Sequence, residues 1–289
     1  MKDKIFGLSV MLIAYSIAIV SGIFVFLALD HAELNYLVSI LIADVVATVV
    51  VYVFGLFFKT ASMYDPYWSI QTFVIYACLL SHYHTWNINN IIIFIAIVLY
   101  SIRLTVNFVI GFDSLKYVDW RYKMLKEKTG IFYQVVNLLG ICTFPTLVVY
   151  SASIPAFILA VQVMEFYPLI FIGVSIILLG TLLELIADIQ MKIFIKKRTS
   201  KSDIINIGLW KFSRHPNYLG EILIWFGLAS CLVILYPMYW YYFAGAIINL
   251  LMFLFISIPM EENHMKEYKP GMEEYIQKTS MLLILPRRK

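Results

Sequence analysis

The chain contains few charged residues. Lysine, arginine, aspartate and glutamate make up 14% of its 289 residues, compared with roughly 25% in ordinary soluble domains. Apolar residues make up 62%, and the mean hydropathy is +0.84. This balance excludes a soluble globular domain. The apolar runs are continuous rather than alternating every second residue, which excludes a transmembrane β-barrel. The composition therefore predicts an all-α polytopic membrane protein.

The sequence also lacks the short motifs of several common functions. Cys78, Cys142 and Cys231 lie apart in apolar runs without a CxxC pair, so we expect neither disulfides nor a metal site. The absence of GxGxxG excludes a Rossmann domain. The net charge of +4 comes without a nucleic-acid-binding motif. We expect a single membrane domain over residues 1–289, with no nucleic-acid partner and no obligate protein partner.

Apolar runs of about 20 residues, the length that crosses a bilayer, predict the membrane spans. The first run is too long to be a removed signal peptide. Residues 1–60 are expected to form an N-terminal helix pair, and a cytoplasmic tail is expected from residue 260. The sequence contains about eight (seven to eight) such runs, near residues 5–29, 36–58, 67–81, 90–111, 131–151, 167–190, 218–236 and 239–259.

The basic residues predict the orientation in the membrane. With eight spans and a cytoplasmic N-terminus, every lysine and arginine except Arg103 lies outside the spans on the inner side. This distribution follows the positive-inside rule. We therefore expect both termini in the cytoplasm. Because no organelle-targeting signal is recognised, a bacterial inner membrane is the expected location.

Polar side chains within the spans form stripes on single helical faces. Ionisable groups in a bilayer are costly and usually functional, and the simplest packing turns the stripes toward one cavity that opens to the cytoplasm. Asp44 and Asn249, taken alone, are better explained by bonds between helices, such as an ion pair of Asp44 with Arg103. The stripes have a four-residue spacing and comprise Arg103 with Asn107, Glu184 with Asp188, and Asn217 with Glu221, extended by Trp225.

A basic segment precedes the seventh span. Pro216 is suited to the first position of the following helix, with His215 as its cap. A helix N-terminus with cations nearby is suited to bind a phosphate or pyrophosphate. Contact with anionic lipid headgroups is the alternative. The cations of this segment include Lys196, Lys197, Arg198 and Arg214.

One long segment resembles a known family. "GLWKFSRHPNYLGEILIWFG", with "ADIQMKIF" before it and "PMEENHMKEYKPGMEEYIQKTS" after it, is similar to the steroid 5-alpha-reductase C-terminal-like family of integral membrane proteins. Weaker similarity at "YDPYWSI", "YSIRLTVNF" and "DWRY" makes residues 64–289 a reductase-like core. The resemblance implies that NADPH binds in a cytoplasm-facing cavity. It also implies that a carbon–carbon double bond conjugated to a carbonyl is reduced in a lipid-like substrate, such as a steroid or isoprenoid.

The resemblance further implies roles for individual residues. Tyr100 corresponds to the tyrosine that polarises the substrate carbonyl, and Asp65 is the candidate for its acidic partner. A phenol hydrogen-bonded to a carboxylic acid can donate to the carbonyl oxygen as negative charge develops there. Asp188 and Asn217 would hold the nicotinamide half of the cofactor. The full set of implied cofactor-binding residues is Glu184, Asp188, Lys196, Lys197, Arg198, Arg214, His215, Asn217, Glu221 and Trp225.

Departures from the steroid-reducing members leave two other functions open. Glu184 stands where those members tend to carry asparagine, and Ser202 and Asp203 stand where a basic residue or tyrosine would hold the cofactor. The pattern RHPxY, followed by an apolar helix and an acidic tail, also resembles the isoprenylcysteine carboxyl methyltransferase group. That resemblance implies S-adenosylmethionine as the cofactor. A non-catalytic lipid-binding membrane protein is the third possibility.

Overall fold

The structure, a computed structural model, describes residues 2–287 and is 78% helical. Within this range it has no β-strand, only an isolated bridge between Ser213 and Ser280. The predicted all-α fold is confirmed. The helices are α1 (Lys2–His31), α2 (Tyr36–Phe57), α3 (Tyr67–His82), α4 (Ile88–Gly111), α5 (Trp120–Thr129), α6 (Tyr133–Val136), α7 (Phe144–Ala160), α8 (Ile170–Lys197), α9 (Pro216–Leu235), α10 (Phe243–Met252), α11 (Ile258–Tyr268) and α12 (Met272–Lys278).

Seven helical stretches of the described residues are long and apolar enough to cross a membrane, so the chain is an integral membrane protein. The remaining expected span, α3, has 16 residues and is therefore about 24 Å long at 1.5 Å per residue. The predicted number, seven to eight, agrees with this structure. The orientation that depends on eight crossings stays a prediction. The seven stretches are Lys2–His31, Tyr36–Phe57, Ile88–Gly111, Trp120–Ala160, Ile170–Lys197, Pro216–Leu235 and Pro237–Tyr268.

The chain forms two compact units, Met1–Phe166 and Tyr167–Lys289. The helix pair over residues 1–60 and the core from residue 64 that the sequence predicts are a different division, which stays a prediction. In the structure α1 and α2 share a core with α3, in which Ala14 packs with Ala47 and Tyr67. The N-terminal helix pair is therefore part of the first unit.

Polar contacts join α7 to its neighbours in the first unit. The hydroxyl groups of Thr48 and Thr146 are 2.8 Å apart, as are those of Thr72 and Ser153. Such bonds are common between membrane helices. A π-helical segment, Asn137–Thr143, immediately precedes α7.

In the second unit, α8 and α9 pack with their backbones close together. A Cβ atom added at Gly180 would lie 2.6 Å from the carbonyl oxygen of Gly220, and one added at Gly227 would lie 2.9 Å from that of Gly173. Small residues let membrane helices approach in this way. The close approach brings the polar stripe of α8 to the surface of α9, where Glu184 contacts Gly220.

Candidate functional site

The helices α8 and α9, which carry two of the predicted stripes, pack against each other in the second unit. Glu184 is buried, and its Cγ is 2.5 Å from the position that a Cβ atom at Gly220 would occupy. Glu221, which follows Gly220 in α9, is also buried, and its Oε1 accepts a 2.8 Å hydrogen bond from Nε1 of Trp225. Glu184 of the α8 stripe therefore packs against the α9 backbone at Gly220, and a meeting of the two stripes stays a prediction. The stripe on α4 belongs to the first unit, and its place in a shared cavity stays a prediction.

Two asparagines of the second unit carry unused hydrogen-bond acceptors. Oδ1 of Asn217 on α9 and Oδ1 of Asn249 on α10 are buried and have no hydrogen-bond partner within residues 2–287. The whole Asn249 residue is only 2% exposed. A buried polar atom without a partner costs about 1–3 kcal/mol. Both oxygens therefore suit a ligand that brings N–H donors, such as the carboxamide of a nicotinamide.

Arg214, expected at the cofactor phosphates, instead links the C-terminal segment to the start of α9. The residue is 6% exposed. Its Nε donates to Oε1 of Glu262 at 2.7 Å, and its Nη1 donates to the carbonyl oxygens of Ile276 at 2.9 Å and Thr279 at 2.5 Å. Because these contacts occupy the guanidinium, the structure gives Arg214 a positioning role.

His215 takes part in the same cluster. It precedes Pro216, which is the first residue of α9 as predicted. His215 is the N-cap residue of this helix, as predicted, although its side chain makes no capping hydrogen bond. Its Nε2 lies 3.0 Å from Oε1 of Glu262 instead, and its ring stacks on Tyr218 with 5.2 Å between centroids. We refer to Arg214, His215 and Glu262 as the clasp.

Other predicted phosphate ligands lie at the end of α8. Lys196 and Lys197 are exposed there, and Arg198 is partly buried. Sequence reasoning missed Lys269, whose pKa is lowered by burial and by the charge of Arg198. Two neighbouring cations repel each other, and a bound anion relieves this repulsion. These four residues are therefore better suited than the clasp to receive phosphates.

The loop after α8 is shaped by Asp203. Its Oδ2 accepts hydrogen bonds from the backbone N–H groups of Thr199 at 2.9 Å and Ser200 at 3.1 Å. These bonds lower the pKa of Asp203, and the bond from Ser200 has the largest effect. An acidic residue at this position thus has a local structural role beside the basic segment.

Asp65, proposed as the partner of Tyr100, accepts a hydrogen bond from the hydroxyl of Tyr122. Burial raises the pKa of the Asp65 carboxyl, although the bond from Tyr122 opposes the shift. Tyr100 is buried within α4. The structure thus provides a phenol for Asp65 from α5, and the Tyr100–Asp65 pairing stays a prediction.

A second phenol–carboxyl pair lines an apolar cavity of the first unit. The Tyr67 hydroxyl donates to Oδ1 of Asp44 at 2.9 Å, and Nε2 of Gln71 donates to Oδ2 at 3.0 Å. All three residues line the cavity, whose volume is about 430 Å³, within the range of about 300–1,000 Å³ that is usual for ligand sites. The sequence signal for this pair is the four-residue interval between Tyr67 and Gln71, next to a carboxyl in the preceding helix.

Apolar side chains of three helices form the walls of this cavity. Its polar group lies where α3 begins, and His82 marks the opposite end, where Nε2 is 3.0 Å from Oδ2 of Asp30. The 16 residues of α3, Tyr67–His82, span about 24 Å of helix, enough for an extended hydrocarbon chain. Wall residues include Ala18, Ile23, Phe26, Ala43, Val74 and Ile75.

Comparison with known proteins gives a family of undescribed activity. A family model described as "Protein of unknown function (DUF1295)" matches residues 51–279. No curated protein and no solved structure matches the chain. The matched range includes Tyr67, Gln71, Asn217 and the clasp, and begins after Asp44. Within residues 2–287, no three histidine, cysteine or carboxylate side chains are grouped to hold a metal ion.

Proposed function

Since the chain belongs to the DUF1295 family, whose function is unknown, we propose that it is a membrane-embedded, NADPH-dependent reductase. Its substrate would be a lipid, steroid-like or isoprenoid, with a carbon–carbon double bond conjugated to a carbonyl. The observation that carries the proposal is the Tyr67–Asp44 hydrogen bond at the polar end of an apolar cavity. The resemblance to the steroid 5-alpha-reductase C-terminal-like family supplies the reaction class.

Tyr67 is the candidate proton donor to the substrate. Reduction of a conjugated double bond places negative charge on the carbonyl oxygen, and a positioned hydroxyl stabilises that charge. A phenol has a single hydroxyl hydrogen, so Tyr67 can donate to the substrate only when Asp44 is a carboxylic acid and donates to the phenol oxygen. The 2.9 Å contact serves either direction of donation.

Gln71 determines which oxygen of Asp44 carries the acid proton. Its Nε2 donates to Oδ2, so the proton of a protonated Asp44 lies on Oδ1, which faces Tyr67. The proton passes from Asp44 to Tyr67 as Tyr67 gives its own to the enolate oxygen. The enol then tautomerises to the saturated carbonyl compound, and water returns a proton to Asp44. The substrate gains one hydride and one proton in total.

The second unit contains residues that suit the cofactor. When bound, NADPH would supply the hydride and its two electrons. Asn217 and Asn249 each present a buried acceptor to its N–H groups, and the buried Glu221 is held by Trp225. Arg198 and Lys269 are suited to its phosphates. These positions, together with the basic segment, support a cytoplasm-facing nucleotide site, and we extend the proposal to a bacterial inner membrane with both termini inside.

Methyl transfer from S-adenosylmethionine is the competing function. Its amino groups would also satisfy Asn217 and Asn249. A methyl transfer does not need a phenol–carboxylic acid pair to protonate its product, however, and this pair therefore favours the reductase. A non-catalytic lipid-binding protein would need neither the pair nor the acceptors.

Ligand binding separates the three functions. We expect NADPH to raise the melting temperature of the purified protein and S-adenosylmethionine to leave it unchanged. Asn217→Ala and Asn249→Ala should each weaken NADPH binding by at least about 1 kcal/mol, about fivefold in Kd. The control is Asn206→Ala, which removes an exposed side chain bonded to Arg287. Stabilisation by S-adenosylmethionine alone would overturn the proposal, and binding of neither cofactor would favour the non-catalytic protein.

A further inference from the structure

Gln71 keeps an unused acceptor at the polar end of the cavity. Its Nε2 points at two acceptors, Oδ2 of Asp44 at 3.0 Å and the carbonyl oxygen of Thr146 at 3.4 Å. Reversing the amide would place the Gln71 oxygen against both of these acceptor oxygens. The two acceptors therefore determine the orientation of the amide group. Oε1 then has no hydrogen-bond partner within residues 2–287, although Gln71 is only 3% exposed and lines the cavity.

We propose that this cavity selects lipids whose polar end carries a neutral hydrogen-bond donor, a hydroxyl or N–H group, and that Oε1 of Gln71 receives it. The inference rests on the proposed function only in taking the cavity as the substrate site. In a substrate, the donor would lie close to the conjugated carbonyl, so that Tyr67 and Gln71 bind adjacent atoms of one molecule. Gln71 is then a specificity-determining residue.

The geometry favours a neutral head group. Tyr67 and Gln71 are one helical turn apart on α3 and contact the two oxygens of one carboxyl. A single hydroxyl placed there accepts from Tyr67 and donates to Gln71, which satisfies both partners. An anionic head group would be repelled by Asp44 whenever Asp44 is ionised. The apolar walls and the length of the cavity suit an extended hydrocarbon body behind the head group.

A matched pair of probes tests the inference without the cofactor. Farnesol can both accept and donate a hydrogen bond, whereas farnesyl methyl ether can only accept. Binding is read at Cys78, which lines the cavity and is partly exposed. Cys142 and Cys231, by contrast, are 2% and 0% exposed. Alkylation of the purified protein by N-ethylmaleimide, followed by mass spectrometry of the Cys78 peptide, gives the protection constant of each probe.

The expected result is a preference for the alcohol in the wild-type protein and its loss in Gln71→Met. One neutral hydrogen bond to an otherwise unpartnered acceptor corresponds to about a 5- to 10-fold difference in Kd. Gln71→Met keeps the size of the side chain. The affinity of this variant for farnesyl methyl ether should therefore stay within about twofold of the wild-type value. The control is Thr72→Val, on the same helix as Gln71. It removes a buried bond to Ser153 of α7 and should keep the preference.

Three results would overturn the inference: no protection by either probe, equal protection by both in the wild-type protein, or equal weakening of both in Gln71→Met. The last result would mean that Gln71 only supports the fold. The preference is a ratio measured on one protein sample, so a partly unfolded variant does not imitate it. The binding test contains no cofactor and is separate from the assay of reduction. If the preference is absent while NADPH-dependent reduction is intact, only the role of Gln71 is refuted. An intact preference without reduction refutes the proposed function alone.

Discussion

The hydroxyl of Tyr67 lies 2.9 Å from Oδ1 of Asp44, a residue 23 positions earlier in the chain. Tyr15 supports this contact from α1. Its hydroxyl donates to the carbonyl oxygen of Met63 at 2.7 Å, and its ring packs edge-on against that of Tyr67 with 5.9 Å between centroids. The phenol of Tyr67 is therefore held from two sides, by a carboxyl and by an aromatic ring. Such support is what a positioned proton donor requires.

Tyr67→Phe removes the hydroxyl and keeps the ring. We expect kcat for NADPH-dependent reduction to fall at least about 100-fold, the usual contribution of a general acid, while Kd for NADPH stays within about twofold. Asp44→Asn should act similarly because it cannot supply the proton. Tyr64→Phe is the matched control, since it removes a neighbouring buried hydroxyl that bonds to Thr146. Full activity of Tyr67→Phe combined with loss of activity in Tyr100→Phe would return the catalytic role to Tyr100.

The carboxyl of Asp65 should produce a pH-dependent stability. Burial raises its pKa, so the folded protein binds this proton more tightly than the unfolded chain, where the pKa is about 3.9. The resulting stabilisation is complete below that pH and is lost as the pH rises through the higher folded pKa. The melting temperature of the wild-type protein should therefore fall relative to that of Asp65→Asn as the pH rises above about 4. Parallel curves would show that Asp65 is not perturbed, and Asp113→Asn, at an exposed position of the same unit, is the control.

Gly180→Ala should destabilise the second unit. The added Cβ would lie 2.6 Å from the backbone oxygen of Gly220, which cannot turn away as a flexible side chain can. Overpacking of this kind costs about 1–3 kcal/mol, measured as a lower melting temperature in one detergent. Gly111→Ala is the control, because a Cβ there meets nothing within 4 Å. Equal melting temperatures of the two variants would contradict the close packing of α8 on α9.

Arg214→Gln tests whether the clasp is structural. Removing one partner of a buried ion pair typically costs about 3–5 kcal/mol, and the carbonyl oxygens of Ile276 and Thr279 would also lose their donor. We expect a lower melting temperature and faster tryptic cleavage after Lys278. The control, Lys278→Gln, breaks an exposed pair with Glu274 and should change the melting temperature little. Loss of NADPH binding in Arg214→Gln with unchanged stability and cleavage would instead place Arg214 at the phosphates.

Most of the fold follows from the sequence because the bilayer restricts the alternatives. Length and hydropathy locate the apolar stretches that could cross the membrane, and Pro216 begins α9 as its residue type predicts. The face of α8 that carries Glu184 packs against the face of α9 that carries Gly220. The glycines at 180 and 220 determine how closely these faces approach. The division into two units cannot be predicted from length, hydropathy or spacing, because it depends on which apolar surfaces pack together.

The partners of individual polar residues were harder to predict. Arg214 and His215 look like phosphate ligands because they are cationic and precede a helix, but Glu262, 48 and 47 residues away, binds both. Asp65 and Asp44 likewise bond to residues on other helices, Tyr122 and Tyr67. Spacing along one helix predicts a shared face, whereas partners on other helices depend on rotation and depth. Tyrosine is also abundant, with 20 in the chain, so its presence alone does not mark a site.

Isotope transfer tests the proposed reduction most directly. Membranes containing the protein are incubated with a lipid extract and with NADPH deuterated at C4 of the nicotinamide, and parallel membranes receive S-adenosylmethionine with a deuterated methyl group. We predict a saturated carbonyl lipid that carries one deuterium from NADPH at the former double bond, formed by the wild-type protein and not by Tyr67→Phe. A deuterated methyl group in a lipid product, with no deuterium transferred from NADPH, would contradict the account.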